Sequence, residues 1–193
     1  MRLAGIVRDS IVDGEGIRDV VFFQGCGKHC KGCHNPDTWD YMGGHHRFLG
    51  DVVNELAESS NNVTISGGEP LDQFEDLYAL CKALKKQGKN IWVYTGNTVD
   101  PTKPIYWHLA KYVDVIVDGR FVEELKDPNL RFRGSSNQRI IDLPQSALAN
   151  EIIYWEETYE KDCYGHSGGC GGFWHKFCCS CRYGVLRYYC SAV

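Results

Sequence analysis

"FFQGCGKHCKGCHNPDTW" (residues 22–39) carries three cysteines, at 26, 30 and 33, in the spacing C-x3-C-x2-C. The apolar run before it ends at Gln24, and Gly25 and Gly27 flank the first cysteine, so the segment reads as a strand running into a tight loop. In α/β folds, loops at the C-terminal ends of strands are where ligands bind. Three thiolates leave a four-ligand site incomplete. Zinc would need His29 or His34 as the fourth ligand, and paired C-x2-C knuckles are its more usual spacing. A [4Fe-4S] cluster would take all three thiolates from the one loop and leave one iron for a ligand that is not protein. A third reading, three inert buried cysteines, is disfavoured because close cysteine clusters usually hold metal.

Working outward, short apolar runs rich in β-branched residues recur at Leu3 to Val7, Asp19 to Gln24, Asn62 to Ser66, Asn90 to Thr95, Val113 to Asp118 and Arg139 to Leu143. Between them, Phe48 to Ser59 and Gln73 to Gln87 place apolar residues at helical spacing, with Lys85, Lys86 and Gly88 as a stop signal for the second. A shorter helix is expected over Pro104 to Lys111. Strands alternating with helices predict an α/β fold of parallel βαβ units, as an open sheet or a partial barrel.

The 193 residues suit one domain, or one domain with an appendage. A hydrophobic content of 43% and a charged content of 24% describe a globular chain rather than a disordered one. The net charge of −4 gives no general reason to bind nucleic acid or an anionic membrane. The start lacks the apolar core of a signal peptide and no stretch is long enough to span a bilayer, so a cytoplasmic location is expected. Ten cysteines in such a chain suit reduced thiols or metal ligands better than disulfides.

Other strand ends carry candidate site residues. In "SGGEP", Gly67 and Gly68 would permit close backbone approach and Glu69 offers a carboxylate, although a plain strand-to-helix turn with Pro70 near the helix start has the same pattern. In "VYTGN", Thr95 and Asn97 could hydrogen-bond a ligand or simply make a turn. "VDGRF" puts Asp118 and Arg120 at the next strand end, where a surface ion pair is the alternative. The tryptophans at 39, 92, 107 and 155 read as core or interface aromatics.

The triad with its surroundings, "DGEGIRDVVFFQGCGKHCKGCHNPDTW" (13–39), resembles the radical S-adenosylmethionine (SAM) enzymes, in their glycyl-radical-enzyme activating branch. The similarity continues through "TISGGEPL" (64–71), "IWVYTG" (91–96), "VDVIVDGRFV" (113–122) and "RFRGSSNQRIIDL" (131–143), covering about residues 1 to 157. It implies a compact version of the partial (β/α)6-type barrel of the radical SAM class. It implies a [4Fe-4S] cluster on Cys26, Cys30 and Cys33, with the open iron filled by the amino and carboxylate groups of SAM. Gly67, Gly68 and Glu69 would then receive the methionine amino group, Glu69 as its charge-assisted acceptor. Asn35 would help orient SAM, Thr95 would contact it, and His34 would lie against the adenine. Asp118 and Arg120 would stand for an acidic residue and a lysine of related activators, Arg120 keeping the charge with altered geometry. The glycines of "DGEGIR" suit a turn, and Arg18 reads as a strand-edge charge or part of a docking loop.

The implied reaction is reductive cleavage of SAM and abstraction of a hydrogen atom from a glycine Cα. The implied partners are the glycyl-radical subunit of an anaerobic ribonucleotide reductase and an electron donor such as flavodoxin. Two rivals stay open at this point: an activator of pyruvate formate-lyase or another glycyl-radical enzyme, and a noncatalytic zinc-binding interaction module.

Composition changes near Glu160. Residues 158–193 hold Cys163, Cys170, Cys178, Cys179, Cys181 and Cys190, with His166 and His175, and little aliphatic periodicity. A zinc knob, an auxiliary iron-sulfur cluster and a nonfunctional extension compete here. The extension is favoured because neither a clean C-x2-C pair nor an auxiliary-cluster spacing is present, and no site residue is assigned.

Overall fold

The computed structural model describes residues 1–156. The cysteine-rich segment expected over 158–193, with its competing readings, lies outside the described residues. The described chain is mixed α/β, built on one seven-stranded sheet in the order β3-β1-β2-β4-β5-β6-β7. The strands are β1 (Arg2–Ser10), β2 (Arg18–Phe23), β3 (His45–His46), β4 (Asn62–Gly67), β5 (Ile91–Tyr94), β6 (Val115–Asp118) and β7 (Arg139–Asp142). The helices are α1 (Leu49–Ala57), α2 (Phe74–Lys86), α3 (Pro104–Leu109) and α4 (Leu143–Ala149).

The six expected strands and three expected helices are present, with ends shifted by at most three residues. Two of the six expected strands, β1 and β7, depart from the expected parallel arrangement. Strands β2, β4, β5 and β6 run parallel, whereas β1 pairs antiparallel with β2, and β7 with β6. The β1 to β2 connection, residues 11–17, is too short for a crossover, which takes a dozen residues or more, so the chain folds back as a hairpin. Two elements were not expected. β3 is a two-residue edge strand, and α4 starts directly after β7, where Asp142 Oδ1 accepts the Gln145 N–H at 2.9 Å as an N-cap.

Side chains alternate across the sheet. Val21, Phe23, Val63, Ile65, Ile91, Val93, Ile116 and Ile141 share one buried cluster with Val52 and Leu56 of α1, Leu77, Leu80 and Leu84 of α2, Leu109 of α3 and Leu143 of α4. Full burial of each such side chain contributes roughly 1.5–3 kcal/mol. Acidic residues in the first turn of α2 and Lys85 and Lys86 in its last turn complement the helix dipole.

The opposite face is filled by Trp92, Val115 and Val117, with Tyr94, Phe132, Ile140 and Trp155 packed against them. Trp92 and Trp155 meet edge to face, their centroids 5.0 Å apart. Covered on both faces, the parallel strands read as near-continuous apolar runs. Arg18 is also on this face, 1% exposed, a buried charge rather than a strand-edge one. It donates to Thr64 Oγ1 at 2.6 Å and to the Val63 carbonyl at 2.7 Å, and its guanidinium lies 5.3 Å from the Trp92 ring centroid. Burial pulls its pKa down to about 10, still well above neutrality. Gly14, at φ +131°, makes room for it: a Cβ there would lie 2.8 Å from Arg18 Cδ.

Candidate functional site

The loops leaving β2, β4 and β5 meet above the C-terminal ends of the parallel strands and surround a cavity of about 260 Å³. Cys26, Cys30, Cys33, Asn35, Gly67, Gly68, Glu69 and Thr95 all line it. The two glycine-bearing loops are stitched together by backbone. The Gly68 N–H donates to the Phe23 carbonyl and the Glu69 N–H to the Gly25 carbonyl, each at 2.8 Å. A Cβ on Gly68 would sit 2.2 Å from Gly25 O, and one on Gly67 2.4 Å from Phe23 O. These glycines therefore let two loops touch, as well as leaving backbone open to the cavity.

Cys26 is buried, and Cys30 and Cys33 are half-buried. Burial pushes the Cys26 thiol up, and the Glu69 carboxylate adds to this, while the backbone N–H groups of Lys28 and His29 and the Lys28 charge oppose it. The Asn35 N–H points at Cys33 Sγ at 3.4 Å. Amides directed at sulfur favour thiolate, the form a metal takes. Among the described residues no three His, Cys, Asp or Glu side chains converge closely enough to share a single metal ion. His29 packs against Trp39 and His34 against Phe121, with ring centroids 4.8 and 5.0 Å apart. Thiolates spread around one cavity suit a cluster, in which each sulfur binds a different iron. The donor set and the space beside it fit such a group.

Glu69 is 1% exposed and closely held. Its Oε1 accepts from Thr95 Oγ1 at 2.7 Å and from the Leu71 N–H at 3.2 Å, and its Oε2 accepts from the Gly96 N–H at 2.9 Å. Burial raises its carboxyl above the usual range, and these donors together with the Lys28 charge work against that rise. Thr95, 4% exposed, thus holds Glu69 in place, and also accepts the Asn97 N–H at 3.0 Å.

Asp118 and Arg120 do not line the cavity. Asp118 is fully buried, taking Arg139 Nε on Oδ1 at 2.9 Å, a second guanidinium nitrogen on Oδ2 and the Val99 N–H at 2.7 Å. It ties β7 and the loop after β5 to the end of β6, its buried carboxylate paired with the half-buried Arg139. Arg120 is exposed and donates to the Lys28 carbonyl at 2.5 Å, bracing the cysteine loop from outside.

Residues that the sequence reading passed over also line the cavity: Lys28, Tyr94, Gly134 and Gln138. The Tyr94 hydroxyl donates to the Phe132 carbonyl at 2.8 Å, and a Cβ on Gly134 would lie 2.9 Å from His34 Cε1. The only advance signal for Gly134 was its place in the "RFRGSSNQ" motif.

A site of this geometry has relatives. Residues 12–141 match the family model described as a 4Fe-4S single cluster domain. The anaerobic ribonucleoside-triphosphate reductase-activating protein of Escherichia coli strain K12 is 36% identical over 138 residues, covering 66% of this chain and 90% of that one. The chain belongs to this 4Fe-4S family. Proteins of the same name from Haemophilus influenzae and Enterobacteria phage T4 are 35% and 36% identical, each over 67% of this chain and covering 90% and 86% of their own length. The family match spans the triad, the Glu69 loop and the strands through β6, so it embraces every residue assigned to the cavity above.

Proposed function

We propose that this protein is a radical SAM activating enzyme that generates a glycyl radical on anaerobic ribonucleoside-triphosphate reductase. The observation that carries the reading is that Cys26, Cys30, Cys33 and Glu69 face one cavity from two loops joined by backbone. Relatives named as activating proteins of that reductase make it the target, ahead of pyruvate formate-lyase or a zinc-binding module.

Cys26, Cys30 and Cys33 would hold the [4Fe-4S] cluster. Glu69, positioned by Thr95, Gly96 and Leu71, would receive the methionine ammonium of SAM, with Gly67 and Gly68 leaving backbone free beside it. Asn35 would orient the ligand and His34, with Phe121 behind it, would border the adenine. When bound, the cluster supplies the electron that cleaves SAM and so starts hydrogen-atom abstraction from a glycine Cα. The protein's own tasks are ligation, orientation and exclusion of water from the reacting centre. Asp118 and Arg120 act from outside the cavity, the first through Arg139 and the second through the cysteine loop.

The sheet is read as a compact partial (β/α)6-type barrel of the radical SAM class, supported by four parallel strands whose C-terminal loops converge on the site. The activase unit is assigned to 1–157 and the extension to 158–193. A cytoplasmic location and a flavodoxin-type donor complete the reading. No described helix is long and apolar enough to cross a membrane.

The test is EPR of the reductase's glycyl-radical subunit after anaerobic incubation with reconstituted protein, SAM and a reductant. A glycyl radical signal that depends on all three supports the reading. Its absence, with SAM cleavage intact, would remove the reductase as target.

A further inference from the structure

Lys28 lies inside the cysteine loop, between Cys26 and Cys30, and its side chain turns into the cavity rather than out to solvent. Three observations define a built seat for it. Its stem runs through a slot that exists because residue 96 has no side chain: a Cβ on Gly96 would lie 2.5 Å from Lys28 Cδ and 2.7 Å from Cε. Its ammonium donates to Asn97 Oδ1 at 2.8 Å. The same Nζ stands 3.5 Å from Glu69 Oε2, with the lysine side chain 21% and the glutamate 1% exposed.

A carboxylate offers about four acceptor positions. On Glu69 three are filled by Thr95, Leu71 and Gly96, so the fourth is the one that faces the Lys28 ammonium. An incoming α-amino group needs that same position. Two cations cannot share it without strong mutual repulsion in so enclosed a site.

We infer that Lys28 is an internal stand-in for the ligand's ammonium, a positioning residue that neutralises Glu69 while the cavity is empty and yields the carboxylate when SAM enters. The inference rests on the assignment of Glu69 to the methionine amino group. Asn97 keeps the displaced ammonium from leaving the site. Because a ligand can draw only on the difference between the two states, the Lys28–Glu69 contact is subtracted from the affinity for SAM. Its removal therefore tightens binding, an effect opposite in sign to that of structural damage.

The experiment measures the Kd for SAM by anaerobic equilibrium dialysis on the full-length, cluster-reconstituted protein. Lys28→Met keeps the stem and deletes the charge, and is expected to bind SAM roughly five-fold more tightly, from the usual worth of a partly exposed pair. Iron content and visible absorption should match the parent. Gly96→Ala provides a second route, since its methyl group fills the lysine slot without altering the sequence of the cysteine loop and keeps the N–H that Glu69 needs. It is expected to tighten binding as well. If Lys28→Met fails to take up iron, Gly96→Ala decides: tighter binding supports the inference, and unchanged or weaker binding overturns it. A parent protein that binds SAM while neither variant binds it more tightly overturns the stand-in role alone. A parent that binds no SAM overturns the cofactor reading itself.

Discussion

The amide of Glu69 donates to the carbonyl of Gly25 at 2.8 Å, so the loop that presents the cysteines and the loop that presents the carboxylate move as one. The contact exists only because residue 68 has no side chain: a Cβ there would meet the same carbonyl at 2.2 Å.

Gly68→Ala is accordingly expected to force the loops apart, lowering stability by about 1–3 kcal/mol and reducing iron uptake on reconstitution. Gly50→Ala, in α1 with nothing within 4 Å of the added Cβ, is the contrasting change and should stabilise by about 0.5–1 kcal/mol. Urea denaturation of both variants checks the pair. A Gly68→Ala protein as stable as the parent would mean that the loops are not stitched as described.

Thr95→Ala removes the hydroxyl that bonds Glu69 Oε1 at 2.7 Å and should lower stability by about 1 kcal/mol. It should also raise the Kd for SAM, because the carboxylate is then less firmly placed. Thr95→Ser keeps the hydroxyl and should recover most of both losses. Loss without recovery in the serine variant would assign the effect to packing of the Thr95 methyl group instead.

Arg139→Met leaves the fully buried Asp118 carboxylate without its guanidinium partner. Leaving the buried carboxylate without this half-buried partner is expected to lower stability by about 3 kcal/mol. Replacing both partners together, Arg139→Met with Asp118→Leu, should recover much of the loss. A cost within 0.5 kcal/mol of zero, roughly that of an exposed pair, would contradict the buried bracket.

Asp19 supplies a pH dependence. Desolvation pushes its carboxyl up, yet hydrogen bonds from Asn61 and Arg8 prevail and hold it below the usual range. The folded state then binds this proton less readily than the unfolded state. The stability it contributes is present above the ordinary carboxylate value of about 3.9 and is lost as pH falls through the lower folded-state value. Denaturation of the parent and Asp19→Asn at pH 7 and at about pH 3 should show a stability gap that narrows on acidification. A gap that widens would reverse the sign.

What the sequence disclosed and what it hid follow from the range of the interactions. The strands at 19–24, 62–66 and 113–118 were legible because strands covered on both faces are written as unbroken apolar runs. The direction of β1 was also legible in principle, since seven linking residues cannot make a crossover. The linker between β6 and β7, residues 119–138, is long enough for one, so its antiparallel return left no local trace. β3 is too short and too polar to show a period, and α4 was hidden because its N-cap Asp142 doubles as the last residue of β7. The triad and the Glu69 loop stood out because their glycines and cysteines are contiguous. The partner of Asp118 did not: Arg120 is near in sequence, but Arg139 reaches it across the β6–β7 pair. Lys28 gave no signal, because Glu69, Gly96 and Asn97 become its neighbours only after three strands are laid side by side.

The most direct test is anaerobic iron-sulfur reconstitution followed by visible absorption and EPR of the dithionite-reduced protein, with and without SAM. A brown protein with about four irons per chain, whose reduced signal shifts when SAM is added, is the expected result. Alanine at Cys26, Cys30 or Cys33 should abolish both the signal and SAM cleavage. A colourless protein that holds zinc and leaves SAM intact would contradict the cluster, the cofactor and the activase function together.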